Sequence, residues 1–106
     1  MKLGIILSTK NAETNWNAFR LANFALEAGD EVKVFLLGEG VEYEKGSSET
    51  FNIIEQVKKF LSNKGCILAC GTCIKSREQD GTATCPINTL NDLYDLINGS
   101  DKVVNF

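Results

Sequence analysis

The sequence has no histidine, a single proline, and one tryptophan and one methionine among 106 residues. Without histidine, Ser-His-Asp and Cys-His catalysis, His-containing zinc sites and the usual neutral-pH general base are excluded within the chain. No apolar stretch approaches the roughly 20 residues of a membrane span, so no membrane partner is expected. Leu3 to Leu7 after Met1-Lys2 mimics a signal peptide, but is shorter than the ~7–15 apolar residues of its central region. A cytoplasmic location is the expectation. An excess of positive charge is also missing. Eleven basic against fourteen acidic residues give a formal charge of −3 and a pI near 4.9. No basic stripe is available to displace counterions from phosphates, so direct nucleic-acid binding is not expected.

The composition, 43% hydrophobic and 24% charged, is that of an ordinary globular chain, and disordered or coiled-coil readings fail on it. The length suits one domain over residues 1–106, with a core that needs no metal or disulfide staples. Leu3 to Leu7 reads as a strand buried on both faces. From Glu13 to Ala28, the residues Trp16, Phe19, Ala22 and Leu26 recur at helical spacing, joined by Ala18, Leu21 and Ala25, with Gly29 placed to end the helix. Glu31 to Leu37 is β-branched and aromatic enough for a second strand. Gly38-Glu39-Gly40 breaks it, and Val41 to Ser48 reads as a loop.

Ser48 is placed to cap a second helix with Phe51, Ile53, Ile54, Val57, Phe60 and Leu61 in one stripe, closed by Gly65. Cys66 to Ala69 is a short third strand. Residues 74 to 88 give only a brief helical start and the polar loop Glu78-Gln79-Asp80-Gly81. Thr89 and Asp92 resemble a capping box, with Leu90, Leu93, Leu96 and Ile97 as the buried face and Gly99 as the stop. Lys102 to Asn105 is the closing strand. Helices alternating with short apolar strands predict an α/β domain of three α/β/α layers, with a mainly parallel sheet of about five strands.

What is present in unusual measure is cysteine. Cys66, Cys70 and Cys73 fall within eight residues, and Cys85 follows. In a reducing compartment such a cluster argues for catalysis or metal binding over a disulfide framework. Parallel sheets gather their chemistry outside the carboxyl ends of the strands. The loops Ser8 to Asn11, Gly38 to Val41 and Cys70 to Cys73 all leave that edge. With a strand ending at Ala69 and a helical turn beginning near Thr72, the N–H groups of that turn point at Cys70 and favour its thiolate. Gly71 leaves its sulfur open to approach, while Lys75 and Arg77 add positive potential. Cys73, three residues on, is within reach for a transient disulfide or a sulfur hand-over. Cys66 opens a buried strand and reads as an inert core residue; Cys85, before Pro86, divides evenly between inert and a second thiol.

A radical-SAM cluster uses the spacing Cys66-x-x-x-Cys70-x-x-Cys73, but needs a barrel larger than 106 residues. A Cys-only zinc or iron site would need all four thiols convergent. No metal and no cofactor are expected. A thioredoxin-like Cys-x-x-Cys normally follows an early strand, whereas this one comes after two βα units.

The segment Ile67-Leu68-Ala69-Cys70-Gly71-Thr72-Cys73-Ile74-Lys75-Ser76-Arg77 resembles the signature of the DsrE-like family, which includes DsrE and TusD. Leu3 to Leu7 is similar to that family's first strand, Glu31 to Val41 to its second strand and following loop, and Asp101 to Phe106 to its closing strand. The chain departs from it in having Arg77-Glu78-Gln79 where the family often has Arg-Gly. The resemblance implies a sulfur carrier that relays persulfide sulfur through Cys70, with Cys73 as an auxiliary thiol. It places Gly71, Thr72, Lys75, Arg77 and Glu39 at the substrate- or partner-binding face. It implies sulfur donor and acceptor proteins as partners, in tRNA thiolation or sulfur metabolism, and a homo- or hetero-oligomer. The alternatives are a cytosolic thiol redox module and a non-enzymatic oligomeric binding protein of the same fold.

Overall fold

The structure, a computed structural model, describes residues 1–71 and 87–106. Five strands form one parallel sheet: β1 (Lys2–Leu7), β2 (Glu31–Leu36), β3 (Cys66–Cys70), β4 (Ile87–Asn88) and β5 (Lys102–Asn105), in the order β4-β3-β2-β1-β5. The helices complete within the described residues are α1 (Ala12–Glu27), α2 (Ile53–Ser62) and α3 (Leu90–Gly99), and residues Gly38–Gly46 form a 3-10 segment.

Strand alternation sorts the side chains into two layers. Leu3, Ile5, Leu7, Val32, Val34, Leu36, Ile67 and Ala69 share one face and meet Phe19, Ala22, Val57 and Phe60 of α1 and α2 in the main core. The opposite face carries Phe35, Leu68 and Cys70, which pack with Leu93 and Leu96 of α3. The chain steps outward from β1 to β2 to β3 through α1 and α2, and returns from β4 to β5 through α3. Right-handed crossovers in opposite directions must lie on opposite faces, which gives the three layers. Gly4 makes room for the returning helix: a Cβ there would stand 2.6 Å from Leu96 Cδ2 and 2.8 Å from Ser100 Oγ.

Helix α1 ends as expected at Gly29, which takes the left-handed position at φ 93°; at its start Asn11, expected only as a turn residue, accepts from Thr14 N–H and caps the helix. Several boundaries differ from the periodicity. Ser48 Oγ accepts from Phe51 N–H in a turn, and Asn52 caps α2 instead. Phe51 is released to pack on Trp16, with ring centroids 5.5 Å apart. At the other end Lys64, not Gly65, is left-handed (φ 71°); Gly65 is required because a Cβ would stand 2.5 Å from the Phe60 ring. Residues 41–46, read as loop, are 3-10 turns that bury Val41 and Tyr43. Of the expected buried face of α3, only Leu96 is enclosed; Leu90 is 66% and Ile97 46% exposed. Leu21, Ile54 and Leu61, expected on inward stripes, are also exposed.

Candidate active site

Cys70 is the last residue of β3, beside Asn88 of β4, and lies at the carboxyl edge of the sheet. Gly71, buried, is already helical, so the strand runs one residue further and the helix begins one residue earlier than Ala69 and Thr72 suggested. The extra strand residue decides the direction of the thiol. Cys70 takes the parity of Leu68 and belongs to the buried cluster of Phe35 and Leu96, against which Leu37, Leu68 and Leu93 pack, and is only 5% exposed. The open approach inferred from a loop position is therefore replaced by an apolar enclosure. Among the described residues, its cluster neighbours Phe35, Leu37, Leu68, Leu93 and Leu96 carry neither a proton acceptor nor a metal ligand.

Cys66 also departs from expectation, being half-buried instead of enclosed. It shares a face with Cys70 but stands at the amino end of β3, four residues away and so roughly 13 Å along the strand. Both thiols cannot ligate one ion while β3 is formed. Among the described residues no cluster of three or more potential ligands occurs.

Glu39 lies in the 3-10 segment that leaves β2 at the same edge as Cys70, and its carboxylate meets Lys10 Nζ at 3.4 Å. Both side chains are largely exposed. Lys10 was not singled out from the sequence, although its loop, Ser8 to Asn11, was among those assigned to this edge. Thr72, Cys73, Lys75, Arg77 and Cys85 lie outside the described residues. The structure thus brings Cys70, Gly71, Lys10 and Glu39 to one edge of the sheet, and places Cys66 at the other.

A three-layer parallel α/β sheet with a thiol closing an inner strand defines a class of small cysteine-bearing α/β proteins. The sequence model of the DsrE/DsrF-like family matches residues 1–106, and the chain belongs to that family. It is 33% identical to an uncharacterized protein of Methanocaldococcus jannaschii over the full length of both chains. It is 34% identical to an uncharacterized protein of Methanopyrus kandleri over 89% of this chain and 83% of that one. Among solved structures, the ychN protein from E. coli superposes with a TM-score of 0.83 at 22% identity, over the whole of both chains. A conserved protein of unknown function from Bacteroides thetaiotaomicron superposes with a TM-score of 0.76 at 19% identity, covering 99% of this chain and 94% of that one. These likenesses agree on the fold. Among the described residues no helix is long and apolar enough to cross a membrane.

Proposed function

We propose that the chain is a persulfide sulfur carrier acting through Cys70, with residues 1–106 working as one unit. The observation that carries this reading is the place of Cys70, at the carboxyl end of β3 directly before helical Gly71, in a chain of the DsrE/DsrF-like family. The Cys70 thiolate attacks the outer sulfur of a donor persulfide, R–S–SH. A new S–S bond forms to Cys70, the donor's S–S bond breaks, and the donor leaves as its thiolate. Cys70 then holds the persulfide, and an acceptor thiolate takes the outer sulfur in the same manner. No oxidant is consumed, because one S–S bond replaces another. Cys73 is the auxiliary thiol that speeds hand-over, while Gly71, Thr72, Lys75 and Arg77 meet donor and acceptor proteins and Glu39 meets the acceptor.

The relay works in the cytoplasm without cofactor or metal, in an assembly with copies of itself or with sister chains. Leu90, Tyr94 and Ile97, spaced four and three residues apart on α3 and all exposed, supply apolar surface that association would cover. Loading the chain with a sulfane donor and weighing its peptides tests the reading. The Cys70 peptide should gain the mass of one sulfur, Cys70→Ser should abolish the gain, and Cys73→Ser should slow release. Equal loading of Cys70→Ser overturns it, as does a Cys70–Cys73 disulfide with no acquired sulfur.

A further inference from the structure

Phe24, 70% exposed, is the most exposed large apolar side chain among the described residues. Helix α1 turns Phe19 and Ala22 into the main core. That leaves Asn17, Arg20, Leu21, Phe24 and Glu27 on its outer stripe, at helical spacing. Phe24 borders an open groove of about 460 Å³ between α1 and α2, shared with Leu21, Asn23, Gln56 and Lys59. A cavity of roughly 150 Å³ already takes up a benzene ring. A projecting ring thus stands beside a hollow large enough to receive one.

The charges around Phe24 complement themselves when reversed. Arg20 lies four residues before it and Glu27 three after it. If two α1 helices meet antiparallel with both Phe24 rings near the two-fold axis, Arg20 of each copy faces Glu27 of the other. A parallel meeting would set arginine against arginine and be repelled. Both side chains are already held: Arg20 stacks over Trp16 at 4.3 Å and donates to Asn17 Oδ1 at 3.0 Å, while Lys59 Nζ meets Glu27 Oε1 at 2.9 Å. Side chains held in this way lose less freedom on contact.

We propose that the α1–α2 face is a two-fold contact between copies of this chain, in which each Phe24 enters the other's groove and Arg20 pairs with Glu27 across the axis. An aromatic ring beside a guanidinium is the composition of interface hot spots. A second copy is the occupant because ring, hollow and both charges belong to one patch, as a two-fold contact requires. Helix α3, with Leu90, Tyr94 and Ile97, covers the other face of the sheet and takes no part. The inference rests on the reading that the carrier assembles with copies of itself. Its test reads mass and not sulfur, so this contact and the relay fail separately.

Sedimentation equilibrium of the full chain tests it, with substitutions at exposed positions only, so that each variant keeps the fold. The parent should associate at concentrations on the order of tens of micromolar, and Phe24→Glu should weaken that association about thirtyfold or more. Tyr94→Glu on α3 should leave the step that depends on Phe24 unchanged. Arg20→Glu and Glu27→Arg should each weaken self-association, because each sets like charges together at both ends of the contact. An equimolar mixture of these two variants should associate more tightly than either alone, since opposite charges then meet at both ends. A parent that stays monomeric overturns the proposal. So does a Phe24→Glu variant that associates like the parent, or a mixture no tighter than its components. If Tyr94→Glu alone dissolves the assembly, association runs through α3 and this contact falls while the assembly stands.

Discussion

Gly40 rests on the end of β1: a Cβ at residue 40 would stand 1.9 Å from the Leu7 carbonyl oxygen. The same carbonyl accepts from Leu37 N–H at 2.9 Å, and Gly40 N–H donates to Leu37 O at 3.0 Å. Backbone meets backbone here, so neither side can rotate away. Gly40→Ala is expected to destabilise the chain by about 3 kcal/mol or more, at the upper end of overpacking costs. Urea unfolding measures it. A loss under about 1 kcal/mol would mean that the 38–46 segment shifts easily off β1.

Lys64 occupies a left-handed position (φ 71°) in which its N–H reaches Leu61 O at 3.3 Å and Gly65 N–H reaches Phe60 O at 2.9 Å. This is the paired hydrogen-bond pattern in which glycine is the usual occupant. Lys64→Gly relieves the left-handed strain and adds some unfolded-state entropy, for a net gain of about 0.5–1 kcal/mol. Gly65→Ala should have the opposite sign, because its methyl meets the Phe60 ring. If both variants lose stability, the assignment of the strained position is wrong.

Asn23 is enclosed in α1 and donates its Nδ2 to the Gln56 backbone carbonyl at 3.0 Å and to Gln56 Oε1 at 2.9 Å. Asn23→Ala should cost about 1–3 kcal/mol, since the buried acceptors lose their donor. Asn23→Asp should cost more, because it turns an acceptor toward two oxygens. Thermal melts of the two variants give the order; an aspartate variant as stable as the alanine variant would contradict it.

The Met1 ammonium meets Asp30 Oδ1 at 2.8 Å, and the hydrogen bond and charge of Asp30 raise its pKa above the ordinary 8.0. A raised folded-state pKa gives stability that is complete below pH 8.0 and fades as pH climbs through the folded value. The stability difference between the parent and Asp30→Asn should therefore be constant near neutrality and shrink on the alkaline side. Denaturant titrations across that range check it, and a difference that grows with pH would reverse the sign.

The Lys10–Glu39 pair stands at the candidate site's edge with both side chains largely exposed. Such pairs contribute little, so Glu39→Gln should change stability by less than about 0.5 kcal/mol. Any effect on sulfur hand-over would then reflect partner contact, and should appear as a slower transfer to the acceptor with unchanged loading of Cys70. Slowed loading in this variant would instead place Glu39 in the donor step.

Much of the fold was legible because its causes are local. The Gly29 stop of α1 needs no partner, and neither do the apolar runs of β1 and β2. The Thr89–Asp92 contact, 2.8 Å from backbone N–H to carboxylate, is local too. β4 was not legible, since two residues have no periodicity and Ile87–Asn88 is a strand only beside Ala69 and Cys70. The position of Cys70 at the sheet edge was readable from the order of elements; its burial was not.

By itself the sequence determined most of the strand and helix segments, and that a cysteine follows the apolar run of the third strand, because period and capping act within a few residues. Only the tertiary structure decided to which face of the sheet that cysteine turns. A strand longer by one residue sends the Cys70 side chain into the α3 layer. Which apolar residues of α3 are enclosed depends on the notch at Gly4, more than 85 residues away along the chain. Leu96 enters that notch while Leu90 and Ile97, equally apolar, stay in solvent. Hydrophobicity selects candidates for burial, but the shape of the opposing strand chooses among them.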